Sequence, residues 1–166
     1  FDEVVALLAA YGETDLLCYR AAEPALRKRQ DAAWDPLLNW SAANLAAPLN
    51  VTTGVIPIDQ PRDSLNRLHT RLAAMTPFQI VAAHDLIAIS GSIVLALAVA
   101  DGFMPPDAAW TSARIDETWQ SEVWGVDEEA ALAEATGNPG PAPGLDETAP
   151  MELKKGDSHD PLPTKK

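Results

Sequence analysis

A long apolar run in the middle of the chain constrains the fold more than any other feature of the sequence. Thr76-Pro77 is a strong helix start, because Thr is a favoured N-cap and Pro is well tolerated at the first helical position. From Phe78 to Ala100 the sequence is the most apolar of the chain, and Gly102 follows as a natural stop. A helix that is apolar on all sides has to be surrounded by other elements. The sequence therefore predicts a buried central helix at about residues 77–101.

This run is too short and too interrupted to cross a membrane. Gln79, His84 and Asp85 break its first third, and the 15 residues left, Leu86–Ala100, are fewer than the roughly 20 that a span needs. The small residues Ala88, Ser90, Gly91 and Ser92 permit a close helix crossing at that point. We therefore expect no membrane insertion and a helical bundle packed around the run.

Helical patterns on both sides of the run support a mainly α fold. Apolar spacing and Pro or Gly boundaries predict further helices at residues 2–11, 25–34, 37–45, 62–75, 106–123 and 127–135. Asp35-Pro36 is expected to break or kink the second of these, and Trp34 and Trp40 are expected to fill the core. The β-branched segment at residues 51–58 predicts an extended connection or a short strand.

The last 30 residues differ in character from the rest. Residues 137–166 are rich in Gly and Pro and contain few large apolar side chains. Such a segment cannot bury enough surface to offset its ordering entropy. The sequence predicts a helical domain at residues 1–136 and a disordered acidic tail at residues 137–166.

Charge and cysteine content exclude several classes of function. The chain has 12 basic and 24 acidic residues, a net charge of −12, which disfavours binding to nucleic acid or to an anionic membrane. Cys18 is the one cysteine, so no intrachain disulfide can form, and it is expected to be a small core residue. No phosphate-binding loop, CxxC pair or HExxH motif is present, so no cofactor and no metal site are expected.

Two polar residues of the apolar run could carry chemistry. His84 and Asp85 share helix faces with apolar side chains, so both are expected to lie in apolar surroundings, where they need hydrogen-bond partners. One interpretation is a catalytic or ligand-binding pair. The favoured interpretation is a buried structural pair, because the sequence shows no third member of a catalytic set.

Glu117 is unusual because it interrupts an apolar stripe. If residues 106–123 form one helix, Trp110, Ala113 and Glu117 lie on one side and Trp124 extends that stripe, while the opposite side is also apolar. A helix with two apolar faces can pack on its own core and offer the second face to a partner. The other interpretation is an ordinary surface pair between Glu117 and Arg114 at i, i+3. The spacing of residues does not decide between these two interpretations.

The order of several short motifs resembles the assembly chaperones of the F1-ATPase α subunit, a family of mitochondria and α-proteobacteria. The resemblance covers about residues 1–135 and rests on the following segments: Tyr11–Ala21, Gln30, Trp34–Trp40, Val51–Val55, Gln60-Pro61, His84–Leu86, Ser90–Ser92, Asp116–Gln120 and Trp124-Gly125.

This resemblance implies a function that the spacing of residues does not. Family members have an N-terminal β-containing domain followed by a helical one, and this chain resembles the helical part, with most of the first domain absent. They bind unassembled F1 α subunit, without ATP, and prevent its aggregation until the β subunit replaces them. A functional glutamate of the family maps to Glu117, with Asp116 as the alternative. The implied location is the bacterial cytoplasm, or the mitochondrial matrix in a eukaryote.

The sequence therefore predicts a chaperone and not an enzyme, with Glu117, Asp116, Trp110 and Trp124 as partner-binding residues. One alternative is a structural helical module that supports the missing N-terminal domain. A second is an enzyme that uses His84 and Asp85, with Glu117 as a further candidate.

Overall fold

The structure, a computed structural model, describes the backbone of residues 1–136; residues 1–126 form one compact unit, and a second begins at residue 127. The predicted tail at 137–166 lies outside the described residues. In chain order the elements are α1 (Asp2–Ala9), two 3-10 turns (Ala10–Thr14 and Leu16–Cys18), β1 (Tyr19–Arg20), α2 (Pro24–Asn44), β2 (Thr52–Thr53), α3 (Arg62–Ala73), α4 (Pro77–Ser90), α5 (Ile93–Ala100), α6 (Pro106–Ala113) and α7 (Ile115–Thr136). The predicted mainly α fold is confirmed.

The apolar run forms two helices, so the prediction of one continuous central helix is wrong. Gly91 has the left-handed backbone conformation (φ +70°) and ends α4, with its N–H donating to the Ile87 carbonyl at 2.8 Å. Ser92 then caps α5 by accepting the Leu95 N–H at 3.0 Å. Gly91 and Ser92 thus provide a helix stop and a helix start instead of the close helix crossing that was expected.

Only the second half of the run forms the buried centre. Every residue from Ile93 to Ala98 is at most 1% exposed, and α5 packs against α2, α4 and α6. Trp34 and Trp40 are buried as predicted, and the Trp40 ring stacks on Phe103 with 5.4 Å between ring centroids. Cys18 is fully buried, and burial raises the pKa of its thiol to about 12, as suits a core residue.

A two-stranded parallel sheet joins the segments on either side of α2. Tyr19 lies opposite Thr52 and Arg20 opposite Thr53, which confirms a short strand within the predicted extended segment at 51–58. Arg20 is fully buried, and its guanidinium lies 2.5 Å from Asp31 and 2.9 Å from Asp35, both on α2. This buried cation therefore ties β1 to the helix that follows it.

A predicted helix break at Pro36 and a predicted helix end at Trp124-Gly125 are both wrong. Helix α2 continues through Pro36, and α7 continues past Trp124 and Gly125, so no separate helix begins at residue 127. A single Gly costs a helix only about 1 kcal/mol, which packing of the rest of the helix can offset. A boundary that was not predicted occurs at Arg114 (φ −105°), where α6 ends and α7 begins.

Replacing Gly91 with Ala is expected to lower the free energy of unfolding by about 1–2 kcal/mol, because a side chain disfavours the left-handed conformation. The added Cβ would meet only the Leu16 Cβ at 3.8 Å, so strain and not collision is the cause. Gly125→Ala is the control, since that position is helical and open and Ala should be neutral or stabilising there. Urea unfolding followed by circular dichroism measures the stability of both variants. Equal losses at the two positions would contradict the left-handed conformation described for Gly91.

Candidate partner-binding surface

The junction of α6 and α7 is held against α2 by two buried hydrogen-bonding side chains. The indole N–H of Trp34 donates to the Ser112 carbonyl at 2.9 Å, at the end of α6. Gln30, which is 1% exposed, donates from Nε2 to the Asp116 carboxylate at 2.7 Å and accepts the Ala21 N–H at 2.7 Å. Asp116 is therefore half-buried and bound within the fold, at the first turn of α7.

Arg29 of α2 fixes the next turn of the same face. Its guanidinium lies 4.9 Å from the ring centroid of Trp119 and 2.8 Å from the carboxylate of Glu122. Together with Asp116, these contacts define the face of α7 that packs on α2. The opposite face, with Glu117 and Trp124, is exposed; the side chain of Trp124 is 71% exposed.

Glu117 begins a row of three side chains that leads to α6. Arg114 donates from Nε to the Glu117 carboxylate at 2.7 Å, and its guanidinium lies 4.9 Å from the ring centroid of Trp110. The ion pair that the sequence offered as one interpretation is thus present, while Glu117 also stays on the exposed face. Trp110 is itself 51% exposed.

Trp110 forms one wall of an apolar groove between α4, α5 and α6. We name it the α4–α6 groove; its volume is about 80 Å³ and its lining includes Leu86, Ile89, Val99, Ala109, Trp110 and Ala113. The lining is almost wholly hydrocarbon, with Ser90 as its polar member. A groove of this kind favours an apolar side chain over a charged one.

The outer face of α4 extends this apolar area. Phe78, Val81 and Ile89 are 87%, 61% and 65% exposed, and Ile89 also lines the groove. Exposed apolar residues that cluster, in contrast to single ones, mark sites of interaction with other proteins. The outer face of α4, the groove and the row from Trp110 to Glu117 together form the candidate partner-binding surface.

His84 and Asp85 do not form the buried pair that the sequence predicted. Their side chains are 52% and 69% exposed, and His84 Nδ1 lies 3.1 Å from the Asp85 carboxylate. The reason is that α4 buries Ile80, Ala83 and Ile87, so the other sides of this apolar helix face outward. A small pocket beside His84 is lined otherwise by Leu7, Leu8, Tyr11 and Ala88, and neither Asp85 nor Glu117 borders it. This arrangement gives no support to the enzyme alternative.

Asp15 is a buried polar centre that the sequence analysis missed. Its carboxylate is 0% exposed and accepts from the Leu17 N–H at 3.0 Å, the Val94 N–H at 3.1 Å and the Ser92 hydroxyl at 2.8 Å. Burial raises the pKa of this carboxyl to about 6, although the hydrogen bonds partly oppose the shift. Only its cap position before Leu17 was visible in the sequence, because Ser92 is 77 residues away.

Neither a metal centre nor a membrane span is found in the part of the chain that the structure describes. Within residues 1–136, no three His, Cys, Asp or Glu side chains are grouped so that they could hold a metal ion. Over the same residues no helix combines the length and the apolar character that crossing a bilayer requires.

Comparisons with known proteins agree with the resemblance drawn from the motifs. Residues 1–42 match the family described as ATP12 chaperone protein. The crystal structure of Atp12 from Paracoccus denitrificans is 47% identical (TM-score 0.74) over 82% of this chain and 59% of its own chain. A point mutant of that protein matches at 46% identity (TM-score 0.74), over 82% of this chain and 58% of its own.

A proposed chaperone from Agrobacterium tumefaciens is also similar, at 39% identity and a TM-score of 0.71, over 80% of this chain and 50% of its own. The predicted resemblance is therefore confirmed. The chain spans less than two thirds of the length of each of these structures.

Proposed function

This chain is related to the ATP12 chaperone proteins, and from that relationship we propose that it assists ATP synthase assembly by binding the unassembled α subunit of F1. It shields the α subunit from aggregation, without ATP, until the β subunit takes its place. The proposed location is the cytoplasm of an α-proteobacterium, or the mitochondrial matrix in a eukaryote. The observation that carries the proposal is the 47% identity to Atp12 over most of the chain.

The candidate partner-binding surface, together with Trp124 on the same face of α7 as Glu117, supports the proposal on physical grounds. A chaperone of this kind has to cover apolar surface that its client later buries against another subunit. Phe78, Ile89, Trp110 and Trp124 expose large apolar side chains on α4, α6 and α7. Aromatic residues of this size supply much of the binding energy in protein interfaces. Binding by such a surface needs no nucleotide.

Glu117 is proposed to act at the edge of this surface in two connected ways. Its carboxylate is exposed and can pair with a basic group of the client. It also holds Arg114, whose guanidinium covers part of the Trp110 ring. Loss of Glu117 would therefore remove a charge and release the cation that borders the indole. Asp116 has a supporting role, because Gln30 engages its carboxylate.

Glu117→Lys is expected to weaken capture of purified F1 α subunit at least roughly tenfold, as removal of a charged anchor that also orders its neighbours does at interfaces. Pull-down and light scattering of aggregating α subunit measure the effect, and circular dichroism confirms the fold. Glu122→Lys is the matched control, since it makes the same charge change on α7 and breaks an ion pair of similar exposure on the other face. The control should capture α like the wild type.

Three outcomes separate the parts of this proposal. Equal loss in Glu117→Lys and Glu122→Lys would mean that α7 as a whole, and not its outer face, affects binding. Normal capture by Glu117→Lys would remove Glu117 from the site and leave the chaperone function in place. Failure of the wild-type chain to capture α or to suppress its aggregation would contradict the function proposed for this chain. That result would favour the structural-module alternative, in which the apolar surface is a domain interface.

A further inference from the structure

We propose that the α4–α6 groove accepts one aliphatic side chain from a client segment that carries Lys or Arg beside it. This inference rests on the proposed function and names the chemistry of the client segment that the surface selects.

The size and lining of the groove favour an aliphatic side chain. Its volume is about 80 Å³, whereas a cavity that holds a benzene ring has on the order of 150 Å³. The walls are formed by Leu86, Ile89, Val99 and Ala113 together with the edge of Trp110. A Leu, Ile, Val or Met side chain therefore fits, and a larger aromatic ring requires the groove to widen.

Two exposed carboxylates lie on the helices that form the groove, each one turn from a lining residue. Asp85 lies one helical turn before Ile89 on α4, and Asp107 lies one turn before Trp110 on α6. Among the described residues no Lys or Arg forms an ion pair with either, and His84 is the side chain that contacts Asp85. The neighbouring cation, Arg114, is engaged by Glu117 and Trp110. A client with Lys or Arg beside its apolar residue thus finds an exposed carboxylate on α4 and another on α6, two of the helices that form the groove.

Charge also decides against a second copy of this chain as the occupant. Each copy has a net charge of −12, and two such copies repel as they approach. Basic segments are attracted by the same field, which raises their association rate at low salt. The surface therefore selects a basic, apolar segment of another protein over self-association.

Two synthetic amphipathic peptides test the inference directly. Both carry Leu at the same positions, and one has Lys where the other has Glu. Fluorescence anisotropy of the labelled peptides is expected to show at least roughly tenfold tighter binding of the Lys peptide, with an affinity that falls as salt rises. Asp85→Lys combined with Asp107→Lys should reverse or abolish this preference. Asp59→Lys combined with Asp63→Lys makes the same charge change at exposed positions outside the groove lining. This control pair should keep most of the preference for the Lys peptide.

A variant that fills the α4–α6 groove tests whether an aliphatic side chain of the peptide enters it. Ala113→Leu places a larger side chain on the groove wall and is expected to weaken binding of the Lys peptide severalfold while the helix is retained. Unchanged binding in Ala113→Leu, or equal losses in the two Asp-to-Lys pairs, would overturn the inference.

Capture of F1 α subunit by the same variants separates the inference from the proposed function. If wild type captures α and the Asp85/Asp107 pair does so equally well, the inference fails while the chaperone function stands. If no protein captures α but the Lys peptide binds in a groove-dependent way, the chaperone function fails and the chemistry of the groove stands.

Discussion

Asp15→Ala is expected to lower the free energy of unfolding by about 4 kcal/mol at pH 4.5. The loss leaves three buried donors without their acceptor: the backbone N–H groups of Leu17 and Val94 and the hydroxyl of Ser92. Each unsatisfied buried group costs roughly 1–3 kcal/mol. Urea unfolding monitored by circular dichroism measures the change.

The effect of Asp15→Ala should shrink as the pH rises. The pKa of Asp15 is raised by burial from 3.8 to about 6 in the folded chain, so the folded state binds a proton more tightly than the unfolded state does. Stability from this group is therefore complete below pH 3.8 and is lost as the pH rises through 6. A shift of about two pKa units corresponds to roughly 3 kcal/mol between pH 4 and pH 7.5. The difference between wild type and Asp15→Ala should decrease by about this amount over that range.

Asp15→Asn separates the hydrogen bonds from the charge. Its single carbonyl oxygen cannot accept from both Leu17 and Val94, so one backbone donor is lost, but no charge is buried. We expect this variant to be less damaging than Ala and to lack the pH dependence that Asp15 contributes. A difference between wild type and Asp15→Asn that stays constant from pH 4 to pH 7.5 would contradict the assigned pKa shift.

Trp34→Ala is expected to destabilise the fold by about 3–5 kcal/mol, the usual cost of removing a large buried aromatic side chain. Trp34 is 0% exposed, its indole N–H bonds the Ser112 carbonyl, and the buried Arg20 guanidinium lies 5.4 Å from its ring centroid. Truncation thus leaves a cavity, removes a hydrogen bond to α6 and takes the ring from a buried cation. Chemical unfolding and calorimetry both measure this loss.

Two further tryptophan variants show whether burial is the cause. Trp34→Phe keeps most of the ring and should cost only about 1–2 kcal/mol, chiefly through the hydrogen bond to Ser112. Trp124→Ala removes the same type of side chain from a position that is 71% exposed, and a change within about 0.5 kcal/mol is expected. Similar losses in Trp34→Ala and Trp124→Ala would be inconsistent with the positions described for the two side chains.

Sequence periodicity predicted the helices better than it predicted their ends. Thr76-Pro77 marked a true helix start, because both residues act within the local backbone. Gly91 and Gly125 look similar in sequence, yet one ends α4 and the other lies inside α7. The difference comes from Ser92, whose hydroxyl caps α5 and also binds Asp15. Local pattern cannot show a contact between residues so far apart in the sequence.

The candidate surface could be predicted in part. The helical wheel placed Glu117 and Trp124 on one of two apolar faces without showing which face packs inward, and the structure has both side chains exposed. The same wheel assumed one helix over 106–123, which is wrong, since Trp110 lies on α6 and Glu117 on α7. The wheel failed for His84 and Asp85, because a helix that is apolar on all sides gives no signal about which side is buried. Nor could it show that Gln30 engages Asp116, since that pairing depends on how α7 meets α2.

The contact between Asp15 and Ser92 also restricts the order in which the chain can fold. Ser92 follows Asp15 by 77 positions, so during synthesis the ribosome has released Asp15 long before its main partner exists. Until then the 3-10 turn near Leu17 lacks its long-range partner. Closing so large a loop has an entropic cost that short-range helices avoid, which makes this contact a late event in folding. The buried contact between Asp15 and Ser92 therefore forms only after the segment between them has come together.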